Sequence, residues 1–281
     1  MKKQYIIGMA LMALCGGTAA AQVRAASEPV KLLSSPTGLM APVWSPDGTK
    51  IAVTGDNYAG IFVSDADGSN LHAISTLSGA GYKMVWSADS RNILGNVNIR
   101  DNKGTIRELR SFDVATGESA VVTPRRRTQA QPGAETATGI YAAMIAAPTE
   151  AANTIASLAQ FAGKTIINPA LSPDGNSVVF QVPGKGMWII NADGSGLRSL
   201  GSGSHAAWLP DSRTIVYTIV SDNGSEFTGS TIMSLNVANG KKSTVLSSTS
   251  YIPMTPAVSP DGKKVAFENA ADASIYVMNI K

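Results

Sequence analysis

The chain has 281 residues, 44% hydrophobic and 15% charged, with a net charge of +3, two histidines and one cysteine. A charge balance so near neutral argues against a polyanion such as nucleic acid as partner. A lone cysteine excludes a disulfide framework, so the core alone must hold the fold, which a chain of this size can do by burying ~75% of its unfolded surface.

The N-terminus comes first. Lys2 and Lys3 precede an apolar run from Tyr5 to Leu14, too short to span a bilayer, and the small residues Thr18 to Ala21 follow. This layout predicts a secretory signal peptide over residues 1–21, cut between Ala21 and Gln22. Lipidation at Cys15 is the rival reading; it wants a small residue where Leu14 stands. No later apolar run reaches the ~18 residues of a membrane span. The expectation is a periplasmic or secreted protein with a single domain over residues 22–281.

Next along the chain, Glu28 to Ser34 reads as a short strand, and a repeat then begins. WSPDG at Trp44 to Gly48 recurs as LSPDG from Leu171 and VSPDG from Val258, with looser copies WSADS from Trp86 and WLPDS from Trp208. Copies are spaced by about forty residues, except for one interval of about twice that length, the spacing of four-stranded propeller blades. In each unit a short apolar strand a ends at the motif, as in Ala41 to Trp44 or His205 to Trp208. Strand b follows, as in Lys50 to Val53, Asn176 to Phe180 and Lys264 to Phe267. Strand c comes next (Ile61 to Val63, Met187 to Ile190, Ile275 to Met278). A tight turn such as Ala66-Asp67-Gly68 or Ala192-Asp193-Gly194 leads to strand d, for example Leu71 to Ile74 or Lys242 to Leu246. Asp-Gly and Asn-Gly between apolar runs are hairpin signals, because glycine accepts positive φ without a Cβ clash.

The long interval implies a degraded unit at about residues 125–165, with Gln131-Pro132-Gly133 as its turn and Gly139 to Ala142 as its strand b. An alanine-rich run from Pro148 to Gly163 also carries helix start and stop signals, and a blade is preferred there because the length fits. The last unit ends at Lys281 after its strand c, and Glu28 to Ser34 matches the strand d segments. The N-terminal strand is therefore expected to complete the C-terminal blade and close the ring, leaving no unpaired sheet edge. The expected fold is all-β: a six-bladed propeller of four-stranded antiparallel blades.

Within the motif, Pro46 presets φ for the second position of a β-turn, Asp47 suits the third, and Gly48 takes the left-handed conformation. Asp47, Asp174 and Asp261 could be acids or metal ligands. Their recurrence at repeat spacing makes them turn residues instead, since a hairpin is needed in every blade and a catalytic group is not.

WSPDG, LSPDG and VSPDG, with NADGSG and DADGSN, resemble the Pro-Asp propeller repeats of TolB-like periplasmic proteins and of the propeller domains of prolyl-oligopeptidase-type peptidases. The resemblance covers nearly the whole chain after residue 21 and implies architecture more than function. TolB itself has a separate α/β domain before its propeller, and the peptidases carry an α/β-hydrolase domain. Neither is expected here, so neither the Pal-binding role nor peptidase activity is carried over.

The chemistry on offer is thin. With two histidines, no HExxH and no cysteine cluster, no metal or cofactor is expected. Gly-x-Ser-x-Gly is missing. Phe161 to Thr165 ends like a phosphate loop, but Leu158 stands where its first glycine belongs. Asp65-Ala66-Asp67-Gly68 echoes a calcium loop yet falls on a c–d turn without the distal glutamate. His72 falls on an outer strand.

Topology gives a better lead. The a–b and c–d turns share one face of a propeller; the b–c loops and d-to-a crossovers share the other, and loops on a rigid scaffold are where function concentrates. That face carries Asn57, Tyr58, Arg100 and Lys185 as candidate partner-binding residues. The residue three positions before each motif is Ala41, Lys83, Asn168, His205 or Thr255, on the innermost strand, so Lys83, Asn168, His205 and Thr255 are expected as a polar ligand-binding ring at the channel mouth. The functional expectation is a monomeric, non-catalytic binding or assembly propeller of the bacterial cell envelope, holding an envelope protein or a glycan. The alternative is a lyase acting on acidic sugars with Lys83 or His205 as base, since some propellers with this repeat resemble oligogalacturonate lyases.

Overall fold

Strand b of each repeat is apolar at consecutive positions rather than alternate ones, which requires burial on both of its faces. The computed structural model describes residues 22–101, 104–124, 137–146 and 150–281; the expected signal peptide and the Gln131-Pro132-Gly133 turn lie outside the described residues. Among the described residues, twenty strands form five four-stranded antiparallel sheets. A short strand β1 (Val30–Leu33) precedes blade 1, which comprises β2 (Met40–Trp44), β3 (Lys50–Thr54), β4 (Ile61–Asp65) and β5 (His72–Ser75). Blade 2 comprises β6 (Val85–Trp86), β7 (Asn92–Asp101), β8 (Gly104–Asp113) and β9 (Ser119–Pro124). After helices α1 (Ala137–Ala146) and α2 (Ala151–Thr154) comes blade 3, with β10 (Ile167–Leu171), β11 (Ser177–Val182), β12 (Gly186–Asn191) and β13 (Arg198–Gly201). Blade 4 is β14 (Ser204–Trp208), β15 (Thr214–Asp222), β16 (Phe227–Asn236) and β17 (Lys242–Ser247); blade 5 has β18 (Pro253–Val258), β19 (Lys264–Asn269) and β20 (Ser274–Asn279).

Successive residues of a strand point to opposite faces, and here each face meets a different neighbour. Ile51 and Val53 pack with Ala266 and Ile275 of blade 5, while Ala52 packs with Trp86, Ile93 and Phe112 of blade 2. Val265 and Phe267 meet Val216 of blade 4, whose Ile215 and Tyr217 meet Val179 and Ile189 of blade 3. These shared cores place the blades in the order 2–1–5–4–3. The motif tryptophans tie neighbours together: Trp44 Nε1 donates to Ala257 O at 3.2 Å, Trp86 Nε1 to Val43 O at 3.1 Å, and Trp208 Nε1 to Ala170 O at 3.0 Å.

The remaining face of blade 3 corrects the expectation of six blades. Five are present among the described residues, and the described part of the stretch around residues 125–165 is helical. Gly139 to Ala142, expected as a strand, lies within α1, and the alanine-rich run holds α2 followed by a 3-10 segment, Ala156–Phe161. Ile140 and Met144, one helical turn apart, join Ala151, Leu158 and Phe161 in covering Val178, Phe180 and Ile190. Phe161 sits edge-on to Phe180 and Trp188, with ring centres 5.9 and 4.9 Å apart. Covering an apolar sheet face requires apolar surface, not a strand. An alanine-rich segment without two-residue alternation supplies that surface most readily as a helix.

The N-terminus completes blade 5. β1 pairs antiparallel with β20, with Val30 opposite Val277 and Lys31 opposite Tyr276. Lys31 Nζ lies 2.8 Å from Asp272 Oδ2. Upstream of β1, Arg24 and Lys281 exchange two backbone hydrogen bonds of 2.9 and 3.0 Å.

Candidate ligand site at the channel mouth

The innermost strands β2, β10, β14 and β18 lie side by side, and each bends at the same point. The residue three before the motif adopts positive φ in every blade: Ala41 at 51°, Lys83 at 53°, Asn168 at 49°, His205 at 52° and Thr255 at 44°. Left-handed backbone is uncommon outside glycine, and for β-branched threonine it is an outlier. In four blades the ladder skips register there, between Met40 and Val43, Ile167 and Ala170, Ser204 and Ala207, and Met254 and Ala257. Each skip is a β-bulge, a device that re-aims a side chain where pairing is interrupted.

The bulges bring Ala41, Asn168, His205 and Thr255 to one cavity of about 200 Å³, walled further by Pro42 and Pro169. Lys83 is not among the residues lining it. Its ammonium lies over the ring of Tyr82, 5.4 Å from the centre. Tyr58 meets the same ring edge-on at 5.0 Å. Asn57 and Tyr58 sit on a 3-10 turn, Asp56–Tyr58, with φ of 54° and 59°. Arg100 stands exposed near the tip of the β7–β8 hairpin, and Lys185 is exposed in the β11–β12 turn. Asn57, Tyr58 and Lys185 lie in b–c connections, and Arg100 lies at the end of β7 where it turns into β8. His72, by contrast, is an exposed residue on β5 whose Nδ1 lies 2.7 Å from Asn70 O.

Strand b supplies a second ring that the sequence reading missed. Thr255 Oγ1 and the Ala41 backbone N–H donate to the Glu268 carboxylate at 3.2 and 3.3 Å, and Asn168 Nδ2 donates to Gln181 Oε1 at 3.2 Å. Thr218 Oγ1 lies 3.0 Å from Ser204 Oγ beside His205. Thr54, Asn96, Gln181, Thr218 and Glu268 all stand at the same distance beyond their motifs. Applying the motif as a ruler forwards as well as backwards would have found a polar residue in every blade.

Burial sets the electrostatics. Burial pushes the Glu268 carboxyl above its ordinary range, while the Ala41 N–H and the Thr255 hydroxyl pull it down. Burial also pushes His205 below its ordinary value, and its Nδ1 has no hydrogen-bond partner among the described residues. The cavity can therefore offer an uncharged imidazole, an amide and a hydroxyl to a polar ligand, with the Gln181 amide and the Glu268 carboxyl bonded behind them. Among the described residues no cluster of histidine, cysteine and carboxylates is arranged to hold a metal ion, and no helix is long and apolar enough to cross a membrane.

On the opposite face the motif aspartates are engaged in their own corners. Ser45 donates to Asp47 Oδ1 at 2.6 Å, Gly48 N donates to Ser45 O at 2.9 Å, and Gly48 has φ of 73°. Ser172–Asp174 and Ser259–Asp261 repeat the serine contact at 2.6 Å.

The class this geometry defines is a β-propeller with a polar channel mouth. No family model matches the chain, and no curated protein matches it. Among solved structures it is similar to TolB from Acinetobacter baumannii, at 14% identity over 90% of this chain, with a TM-score of 0.41. The chain spans 57% of that protein's length. It is also similar to an oligogalacturonate lyase from Vibrio parahaemolyticus, at 13% identity over 91% of this chain and 95% of that one, TM-score 0.47. A third likeness is to a chain of a nidogen–laminin complex, at 12% identity over 88% and 78% of the two chains, TM-score 0.40. At such identities, shared architecture implies no shared activity.

Proposed function

We propose that this protein is an exported, non-catalytic binding or assembly module of the bacterial cell envelope. It holds a protein or glycan partner at the channel mouth, through Asn168, His205 and Thr255, and on the surrounding loops that carry Asn57, Tyr58, Arg100 and Lys185. One observation carries this reading: equivalent positions of four blades converge on a single cavity at the face where the connections vary. The signal-like layout of residues 1–21 supports export.

The reading is tested by a thermal-shift screen of glycans and uronates, together with cross-linking in intact cells, on wild type, Asn168→Ala and His205→Ala. A ligand at about a hundred times its Kd should add ~2.7 kcal/mol to wild-type stability. That gain, or the cross-link to one identified envelope protein, should be lost in both variants. A second reading, a lyase acting on acidic sugars, draws on the imidazole of His205, which burial keeps neutral as a base requires. Turnover of uronate oligomers that His205→Ala abolishes would replace the first reading with the second.

A further inference from the structure

Lys83 occupies a ring position, yet its side chain lies over Tyr82, and it has company there. Arg107 of β8 approaches the same ring, with its guanidinium carbon 5.7 Å from the centre. Tyr82 is fixed by its edge-on contact with Tyr58, at an interplanar angle of 78°. The crossover that carries it is pinned by three backbone bonds: Asn98 N to Ser78 O at 2.9 Å, Tyr82 N to Gly79 O at 2.9 Å, and Gly81 N to Tyr58 O at 3.2 Å. A side chain at Gly81 would collide with Thr54 and with the Gly60 carbonyl, so this loop is built for close approach. The crossover is tied down at several points, and two cations approach its one ring.

Neither cation has a carboxylate partner among the described residues. Lys31, Lys50 and Arg110 are each paired with an acid, at 2.8, 2.7 and 2.7 Å. Glu108, the acid next along β8 from Arg107, is the one engaged by Arg110, and Glu268 of the channel is engaged by Thr255 and Ala41. The face of the Tyr82 ring attracts both cations, but they repel each other. An oxyanion that both cations reach would relieve that repulsion, taking a bidentate fork from arginine and a compact point charge from lysine. A single carboxylate would leave one positive charge uncompensated. A phosphate monoester, at about −1.5 to −2 near neutral pH, balances both.

We propose that Lys83 and Arg107, held on Tyr82, form a binding site for a phosphate monoester group. The inference rests on the proposed binding role of the variable-loop face and names a chemistry for it.

Calorimetric titration of the purified protein at fixed ionic strength provides the test. One arm uses glucose 6-phosphate, a second uses phosphatidylcholine vesicles containing phosphatidic acid, and acetate serves as the monoanion control. Saturable binding is expected in one of the two phosphate arms, the responding arm telling a soluble ester from a lipid, with acetate at least about tenfold weaker. Lys83→Asn, which suits the left-handed backbone, and Arg107→Gln should each lower that affinity by about tenfold. Arg107→Lys, which keeps the charge and loses the fork, should fall between wild type and Arg107→Gln. His72→Ala, at an exposed position of the outer strand β5, should leave phosphate-ester binding unchanged. The channel reading is scored by its own glycan and cross-linking screen, so failure of that reading and failure of this one are distinguishable. Equal affinities in wild type and both charge-removing variants, acetate bound as tightly as the ester, or no binding in either phosphate arm would overturn the proposal.

Discussion

Ser172 shows how one residue makes a corner. It is 2% exposed, its hydroxyl donates to Asp174 at 2.6 Å, and it accepts from Ser177 N at 2.9 Å. Removing the hydroxyl in Ser172→Ala leaves a half-buried N–H without its partner and should cost ~1 kcal/mol, read as a lower urea midpoint with an unchanged slope. The serine hydroxyls and turn N–H groups also hold Asp47, Asp174 and Asp261 below their ordinary value of 3.8. For carboxylates whose folded pKa is lowered, the stabilisation is present above that value and lost as pH falls through the folded one. WLPDS is the instructive exception: Leu209 replaces the serine, and Thr214 Oγ1 donates to Asp211 at 2.7 Å instead. The corner survives because the aspartate, not the serine, is the common acceptor. That much was legible from residue types alone, since proline, aspartate and glycine each act on their own few dihedrals.

At the scale of elements, the closing strand and the helices differ in what announced them. β1 was legible because the last repeat ends without a strand d and Glu28 to Ser34 carries a matching pattern. Its inward residue Leu33 is 4% exposed, against blades 1 and 5, whereas Val30 is 63% exposed. Leu33→Ala should therefore cost ~2–5 kcal/mol, and Val30→Ala should stay within about 0.5, compared by urea unfolding. A similar cost at both sites would mean that β1 acts by backbone pairing alone. The helices were harder to read. Between strands and helices of similar length, an alanine-rich run is decided by what it must cover, here Val178, Phe180 and Ile190 of blade 3. Spacing favoured a blade, and packing favoured a helix.

The whole molecule brings together what no single blade holds. Glu268 of blade 5 and His205 of blade 4 flank one channel mouth, and burial shifts them in opposite directions. Because the folded pKa of His205 is lowered, the unfolded chain takes up its proton first. His205 therefore contributes stability that is present above its ordinary value of 6.5 and lost as pH falls below it. Glu268 has the opposite sign: its raised folded pKa favours the fold below its ordinary value of 4.5, and the advantage is lost as pH rises through the folded pKa. His205→Asn should flatten the loss of stability just below pH 6.5. Glu268→Gln should raise the urea midpoint at neutral pH relative to its effect in acid. Midpoints that run parallel to wild type across this range would show that neither group is buried in its charged form.

The repeat unit, its hairpin corners and the closing strand were determined by the sequence alone. These depend on local dihedrals and on a motif that returns about every forty residues, which each segment carries within itself. Only the tertiary structure decided the number of blades, the turning of Lys83 over Tyr82, and the backing of the cavity by Glu268 and Gln181. Those outcomes depend on which surfaces meet. Left-handed backbone recurs at all five ring positions although alanine, lysine and threonine do not favour it, so the place in the blade, not the residue type, sets that conformation.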